Sequence, residues 1–429
     1  MSAENTTRNP LPSLRAQPRN LLSDKETSLC SGDGGSLSAM TLKGGRIVRF
    51  GEVCLPASKS ESNRALMIAA YGGFAPDFQN LSESNDTLVL MDALRDIQSK
   101  KPFIDIADCG TAARFLTTFL ACHEGNWLLT GTERMKQRPV KPLVEALSEL
   151  GANIQYAEVE GFLPLQIHGK AIQGGKVSID MSQSSQFASS LLLAAPMWPQ
   201  GLEIELLGNL SSLPYLDMTL AMMRHFGSEA ERNERMVFVK PKPYQPTNFK
   251  VSSDWSAASY WYEMAAFSEE CEIRLRSLSL SKGRPNLQGD SIIVEWMKQL
   301  GVGTFVENDI IVLRKIPFEK HSLNFDFSQY PDLYPTMAAT CAGLGLEVTF
   351  TGLDNLSFKE SDRVAAMQTE LANLNQRPIQ FCAHNDHRIV MALAPLSMLY
   401  GSVSFDHPNV VEKSYPRYWA DASFLCLGN

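Results

Sequence analysis

The chain lacks any run of the roughly 18–20 apolar residues needed to span a bilayer; its longest apolar stretches, Ala65–Ala70 and Phe187–Trp198, are helix-sized. No basic start followed by an apolar stretch occurs, so no secretory signal is expected. No C-x-x-C pair occurs among Cys30, Cys54, Cys109, Cys122, Cys271, Cys341, Cys382 and Cys426, which argues against a zinc or dithiol site. These cysteines are expected to be reduced and mostly buried in a cytoplasmic protein. Neither G-x-x-x-x-G-K-[ST] nor G-x-G-x-x-G is present, so no nucleotide fingerprint is found. Cations are in deficit, with 39 Lys and Arg against 47 Asp and Glu and a net charge of −8. That disfavours a nucleic-acid or anionic-membrane partner. With 44% apolar and 20% charged residues, the composition excludes collagen-like, coiled-coil and wholly disordered chains. A length of 429 residues predicts two to four domains.

What is present is repetition. Residues 1–36 are polar and aperiodic and are expected to be a disordered extension; Glu4, Asp24 and Glu26 argue against an organellar transit peptide. Beyond them, Leu143, Leu147 and Leu150 form a helical face that stops at Gly151, and two strands, Asn153–Tyr156 and Leu163–His168, follow. The pattern recurs at Gly227 and Gly301, 76 and 74 residues further on, and again at Asn375. Gly and Asn suit a left-handed helix cap. The repeat is therefore a small α/β unit, longer than a solenoid repeat. Two copies read as trimmed, one between Asp92 and Gly110 and one between Leu374 and Asn385.

Polar clusters stand immediately before apolar helical runs at Ser58, Asp108, Ser182, Ser253, Lys359 and Asn385. Each reads as a capped helix N-terminus, where free N–H groups and the helix dipole favour anions. Taken singly, such a cluster is ordinary capping. As a set they carry Lys59, Arg64, Arg114, Lys359, Arg363 and Arg388, while loops add Arg134, Arg138 and Lys413. This points to a ligand bearing several phosphate or carboxylate groups. Gly110 allows close backbone approach. Asp332 in YPDLYP and Glu360 beside Lys359 are acid–base candidates, though a turn-forming Asp and a first-turn dipole partner are the plainer readings. His384 and His387 in HNDH have a metal-compatible spacing, but no second ligand pair repeats it, so no metal is expected.

The strings LPASKSESNRALMIAA, ADCGTAARFLTTFLA, LTGTERMKQRPVKPLVEALSELGA, SSQF, LPYLDMTLAMMRHFG, SDWSAASY, PDLYPTMAATCA, LSFKESDRVAAM, NDHRIVMAL and EKSYPRYW occur in this order. From about residue 38 onward the chain resembles the EPSP synthase family, the 3-phosphoshikimate 1-carboxyvinyltransferases. The resemblance implies a two-domain enolpyruvyl-transferase fold of the α/β (α+β) class, with three βαβαββ-type repeats per domain. It implies crossings near Ala57-Ser58 and Ser252–Asp254, giving a continuous domain of residues 58–252 and a discontinuous one of 37–57 plus 253–429. It also implies transfer of the enolpyruvyl group of phosphoenolpyruvate to the 5-hydroxyl of shikimate 3-phosphate, with phosphate released. By resemblance, shikimate 3-phosphate is held by Lys59, Ser60, Arg64, Ser184, Ser185, Ser212, Tyr215, Asp332, Asn355 and Lys359. Phosphoenolpyruvate is held by Lys59, Gly110, Arg134, Gln186, Arg363, Arg388 and Lys413. Asp332 is expected as the base, with Lys59 and Glu360 sharing proton delivery and return. No cofactor is required, and a monomer is expected.

The chain departs from the family pattern at Asp108, Phe115, Leu213 and Ser357, where Asn, Pro, Lys and Arg are usual. Phe115 is expected to shift the phosphoenolpyruvate pocket and weaken inhibition by glyphosate. Two other readings stand beside this one. A UDP-N-acetylglucosamine 1-carboxyvinyltransferase would carry a Cys in the loop Gly131–Val140, which has none. A non-catalytic binding protein of the same fold would not need the full set of Lys, Arg, Asp and Glu found here. Seven cations, Lys59, Arg64, Arg134, Lys359, Arg363, Arg388 and Lys413, are expected to converge on one cleft while the acidic excess lies elsewhere.

Overall fold

A computed structural model describes residues 38–42, 45–278, 280, 286–319 and 322–423. The expected N-terminal extension, Cys30 and Cys426 lie outside the described residues. Three units follow the order β-α-β-α-β-β. In one, strands Phe103–Asp105 and Gly125–Thr130 run parallel around helix Gly110–Cys122. Helix Lys141–Glu149 then leads to the antiparallel hairpin Asn153–Tyr156 and Leu165–Gly169. The next unit sets strands Gly175–Asp180, Leu202–Leu207, Ala230–Asn233 and Met236–Val239 against helices Gln186–Ala194 and Leu213–His225. The third sets strands Gly45–Cys54, Glu270–Arg276, Val302–Glu307 and Ile310–Lys315 against helices Trp255–Phe267 and Ile293–Lys298; strand Ser38–Leu42 widens its sheet to five.

Three further units have only a parallel strand pair among the described residues: Phe78–Gln79 with Phe249–Lys250, Leu323–Asp326 with Val348–Thr351, and Ile379–Phe381 with Val403–Phe405. The first two contain the shortenings read from the sequence. The third, at the end of the chain, was not read there. Gly151, Gly227 and Gly301 all take positive φ, at 90°, 88° and 82°, just past their helices. Asn375 does not share this role: it closes a 3-10 turn, Asn373–Asn375, and the chain leaves through extended Gln376.

Buried side chains form two apolar clusters. One runs from Ala57 to Val251; the other takes Val53, Leu55 and residues from Trp255 to Ala422. Helix Trp255–Phe267 is buried along its whole length, which explains its lack of a polar face. The two passages between the clusters run side by side: Ala57 bridges Ser253, the Ser58 N–H donates to the Ser252 carbonyl at 2.8 Å, and that of Asp254 to Pro56 at 2.9 Å. Glu61 pins them, accepting from the Ser252 N–H at 2.9 Å and from Gln288 Nε2 at 2.8 Å. No described helix is long and apolar enough to cross a membrane. Among the six described cysteines, Cys109, Cys271 and Cys341 are buried, Cys54 and Cys122 are half-buried and Cys382 is exposed.

Candidate active site

Five of the six polar clusters place a side-chain cap at a helix start. Ser58, Asp254, Asp362 and Asp386 accept from Glu61, Ala257, Ala365 and Arg388 N–H groups. The second helix, Gly110–Cys122, is capped by Cys109 Sγ. At the third, helix Gln186–Ala194, the cap residue Ser185 makes no such bond; Ser184 Oγ accepts from the Gln186 N–H at 3.2 Å instead.

Two buried ionic networks join these helix starts. In the first, Asp86 accepts from Lys59 Nζ at 2.9 Å and from Lys413 Nζ at 2.8 Å. Lys413 also meets the Asp108 carboxylate at 2.9 Å and its carbonyl at 3.0 Å. Burial works to raise the Asp86 carboxyl, but Lys413 and Lys59 outweigh it and hold it below the usual range. For Lys413, burial is likewise outweighed, by Asp86 and Asp108, and its ammonium form is favoured. Asp108, where Asn is usual, thus binds a cation directly.

Asp332 centres the second network. Its Oδ1 pairs with Arg363 Nη1 at 2.8 Å, and its Oδ2 with Arg388 Nη2 at 2.8 Å and the Tyr215 hydroxyl at 3.0 Å. Lys359 Nζ stands 3.9 Å from Oδ1. Arg363, only 1% exposed, is further held by Glu360 and Asp386, both at 2.8 Å. Burial would raise Asp332, yet Arg388, Lys359 and Arg363 together keep it well below the ordinary carboxylate range. Glu360 behaves alike: burial is overcome by Arg363 and Arg138. Burial lowers the Lys359 ammonium.

Arg134 ties the halves together, donating from Nε to the Glu360 carbonyl at 2.8 Å and from Nη2 to that of Lys359 at 3.1 Å. Ser212, with φ of 59°, donates its N–H to the Ser328 carbonyl at 2.9 Å. Gln186 Nε2 reaches Thr111 Oγ1 at 3.2 Å. Asn355 is buried with an Oδ1 that has no hydrogen-bond partner among the described residues. Gly110 serves a tighter purpose than the sequence suggested. A Cβ there would lie 2.5 Å from Arg138 Nη1 and 2.9 Å from Arg114 Nη1, so the missing side chain makes room for two buried guanidinium groups.

Two arrangements go beyond what the sequence shows. Arg64 does not extend toward the ion networks: its guanidinium donates to Thr219 Oγ1 at 2.7 Å and to the Ser60 and Tyr215 carbonyls at 3.0 and 3.2 Å. It positions these segments from behind, and burial lowers it to about 10. Nor does the acidic excess all lie elsewhere, since Asp86, Asp108, Asp332, Glu360 and Asp386 are interleaved with the cations. Cations buried at such density need carboxylates to offset their desolvation and repulsion. Asp86 and Asp386 were absent from the sequence-derived set. Asp86 follows Ser84 ahead of the apolar run TLVLMDAL, the same signal as the other clusters. His384 and His387 do not converge: His384 Nε2 pairs with Glu370 at 2.7 Å, while His387 is buried beside Asp386.

The fold is that of the enolpyruvyl transferases, as solved structures show. An EPSP synthase from Acinetobacter baumannii superposes with a TM-score of 0.68 at 20% identity, over 91% of this chain and 98% of that one. The enolpyruvyl transferase NikO from Streptomyces tendae superposes with a TM-score of 0.59 at 14% identity, over 87% and 94%. The sequence profile of EPSP synthase (3-phosphoshikimate 1-carboxyvinyltransferase) matches residues 98–421. A 3-phosphoshikimate 1-carboxyvinyltransferase of Bacteroides fragilis is 41% identical over 388 residues, covering 86% of this chain and 93% of its own. One from Histophilus somni is 34% identical over 419 residues, covering 86% and 95%. The chain belongs to the EPSP synthase family, a family of transferases.

Proposed function

We propose that this chain is a 3-phosphoshikimate 1-carboxyvinyltransferase, which moves the enolpyruvyl group of phosphoenolpyruvate to the 5-hydroxyl of shikimate 3-phosphate and releases phosphate. The carrying observation is the pair of buried networks around Asp86 and Asp332, which gather Lys59, Lys413, Lys359, Arg363 and Arg388 from distant segments of the chain. Two polyanions brought together out of water need cations preorganised on several sides.

In this reading Asp332 takes the proton of the attacking hydroxyl. Its resting charge, maintained by three cations, keeps it in the accepting form. A carbon–oxygen bond forms to the central carbon of phosphoenolpyruvate as its methylene carbon gains a proton. The same carbon then loses a proton as the carbon–oxygen bond to phosphate breaks. Lys59 and Glu360 share that delivery and return. Glu360 starts ionised beside Arg363 and Arg138, so its first act is acceptance. Ser60, Ser184, Ser185, Ser212, Tyr215, Asn355 and Lys359 serve the acceptor, while Gly110, Arg134, Gln186, Arg363, Arg388 and Lys413 serve phosphoenolpyruvate.

The two apolar clusters and the paired passages at Ala57–Ser253 support domains of residues 58–252 and of 37–57 plus 253–429. Both halves contribute to the site within one chain, which supports a monomer. The buried thiols of Cys109, Cys271 and Cys341 suit a reducing, cytoplasmic setting. A phosphate-release assay offering either shikimate 3-phosphate or UDP-N-acetylglucosamine beside phosphoenolpyruvate tests the acceptor. Release with the first alone is expected; release with the second alone contradicts the reading.

A further inference from the structure

Asp290 is a buried carboxyl group that the reaction above leaves unused. It lies on the 3-10 turn Gly289–Ile292, ahead of helix Ile293–Lys298. Its Oδ2 accepts from the Ser256 hydroxyl and stands 3.4 Å from the Tyr215 hydroxyl. That same hydroxyl is 3.0 Å from Oδ2 of Asp332. One phenolic proton therefore stands between two carboxyl groups, one of them the proposed base. The phenol arrives from the 58–252 half, and both carboxyls belong to the other.

The titratable and charged groups facing Asp290 are Asp332, Arg388, Asp254, Tyr215 and Tyr330. Burial first, and then the charge of Asp332, push the Asp290 carboxyl up to about 7. Asp332 ends on the other side: burial works to raise it as well, but three cations outweigh that and stabilise its charge, and a strongly stabilised carboxylate is a weak base. A second negative charge nearby strengthens it.

We propose that Asp290 is a positioning residue for Asp332: it fixes the Tyr215 phenol from the far side, and its negative charge offsets part of the pull that the three cations exert on Asp332. The proposal rests on the transferase reading. When Asp290 takes a proton, its charge and that offset are lost together. In the wild-type enzyme, kcat should then fall roughly tenfold from about pH 8 to about pH 6.

The test is the pH profile of kcat and of KM for shikimate 3-phosphate in wild type, Asp290→Asn and Ser256→Ala. Asp290→Asn keeps the shape without the charge. Its kcat should match the wild-type acid plateau and stay flat across this range, with KM little changed. Ser256→Ala removes a donor to the ionised carboxyl, so the midpoint should move to higher pH. An Asp290→Asn profile that coincides with, or runs parallel to, the wild-type curve overturns the proposal. If that variant fails to fold, an unmoved Ser256→Ala midpoint does the same. Wild-type protein inactive with both substrates would fail the transferase reading itself and take this proposal with it; active wild type with a flat profile sinks this proposal alone.

Discussion

Lys413 and Asp86 lie 327 residues apart in the chain and form a buried ion pair of 2.8 Å. Because Lys59 shares the same carboxylate, Asp86 stands between two cations that both serve the proposed phosphoenolpyruvate site, while Asp108 meets Lys413 alone. It offsets part of their charge before substrate arrives and leaves them poised for a further anion.

Asp86→Asn should therefore cost about 3 kcal/mol of stability, the usual scale for orphaning a buried charge. Added phosphoenolpyruvate or inorganic phosphate should restore the variant more than it raises wild type, as seen by denaturant unfolding with and without the anion. The pH sign follows from the lowered Asp86 carboxyl. Its contribution is complete above the unfolded value near 3.8 and is lost as pH falls through the folded one. The variant should lack that acid dependence.

Asp332→Ala should lower kcat by about 10²–10⁴, the range for a general base. It also removes an acceptor from Arg363, Arg388 and Tyr215, so some stability is lost as well. Steady-state phosphate release measures the effect, and near-normal turnover would remove Asp332 from its role.

Phe115 is 1% exposed, and the Arg64 guanidinium lies 5.6 Å from its ring centroid. Such a contact contributes roughly 0.5–2 kcal/mol. Phe115→Leu should loosen Arg64, which holds the Ser60 and Tyr215 carbonyls, and raise KM for shikimate 3-phosphate several-fold. Phe115 is also proposed to weaken glyphosate inhibition, and on that proposal Phe115→Pro should lower the inhibition constant. Equal constants in variant and parent would remove that idea.

Glu263 is fully buried in helix Trp255–Phe267, and neither carboxylate oxygen has a hydrogen-bond partner among the described residues. Burial raises it well above its usual range. The folded state keeps the proton that the unfolded chain gives up above the reference value of 4.5. The contribution of Glu263 to stability should thus fall with rising pH by about 1.4 kcal/mol per unit until the folded carboxyl ionises. Glu263→Gln should remove this share of the slope and leave that of Asp290, Asp254 and Glu61, and unfolding free energies of variant and parent at acid, neutral and alkaline pH will show whether it does.

The repeats were legible in the sequence because three helix ends need a left-handed glycine, and Gly151, Gly227 and Gly301 all occupy that conformation. Asn375 broke the series because a 3-10 turn replaces that cap. The cations were legible as side chains beside helix starts. Their counter-ions were not: a lone Asp86 or Asp386 looks like any capping residue, and only folding reveals which cations it faces. The contacts of Arg64 were hidden for the same reason, since a sequence shows which helix carries an arginine but not toward which neighbour it turns. Asp290 carried no signal, because its meaning comes from Tyr215, 75 residues away in the chain.

The most direct measurement is product identification. Purified protein is incubated with shikimate 3-phosphate and phosphoenolpyruvate, together and separately, while released phosphate is counted and the products are weighed by mass spectrometry. The account predicts one phosphate per enolpyruvyl ether of shikimate 3-phosphate, formed only when both substrates are present. Phosphate released from phosphoenolpyruvate alone, or both substrates recovered unchanged, would contradict it.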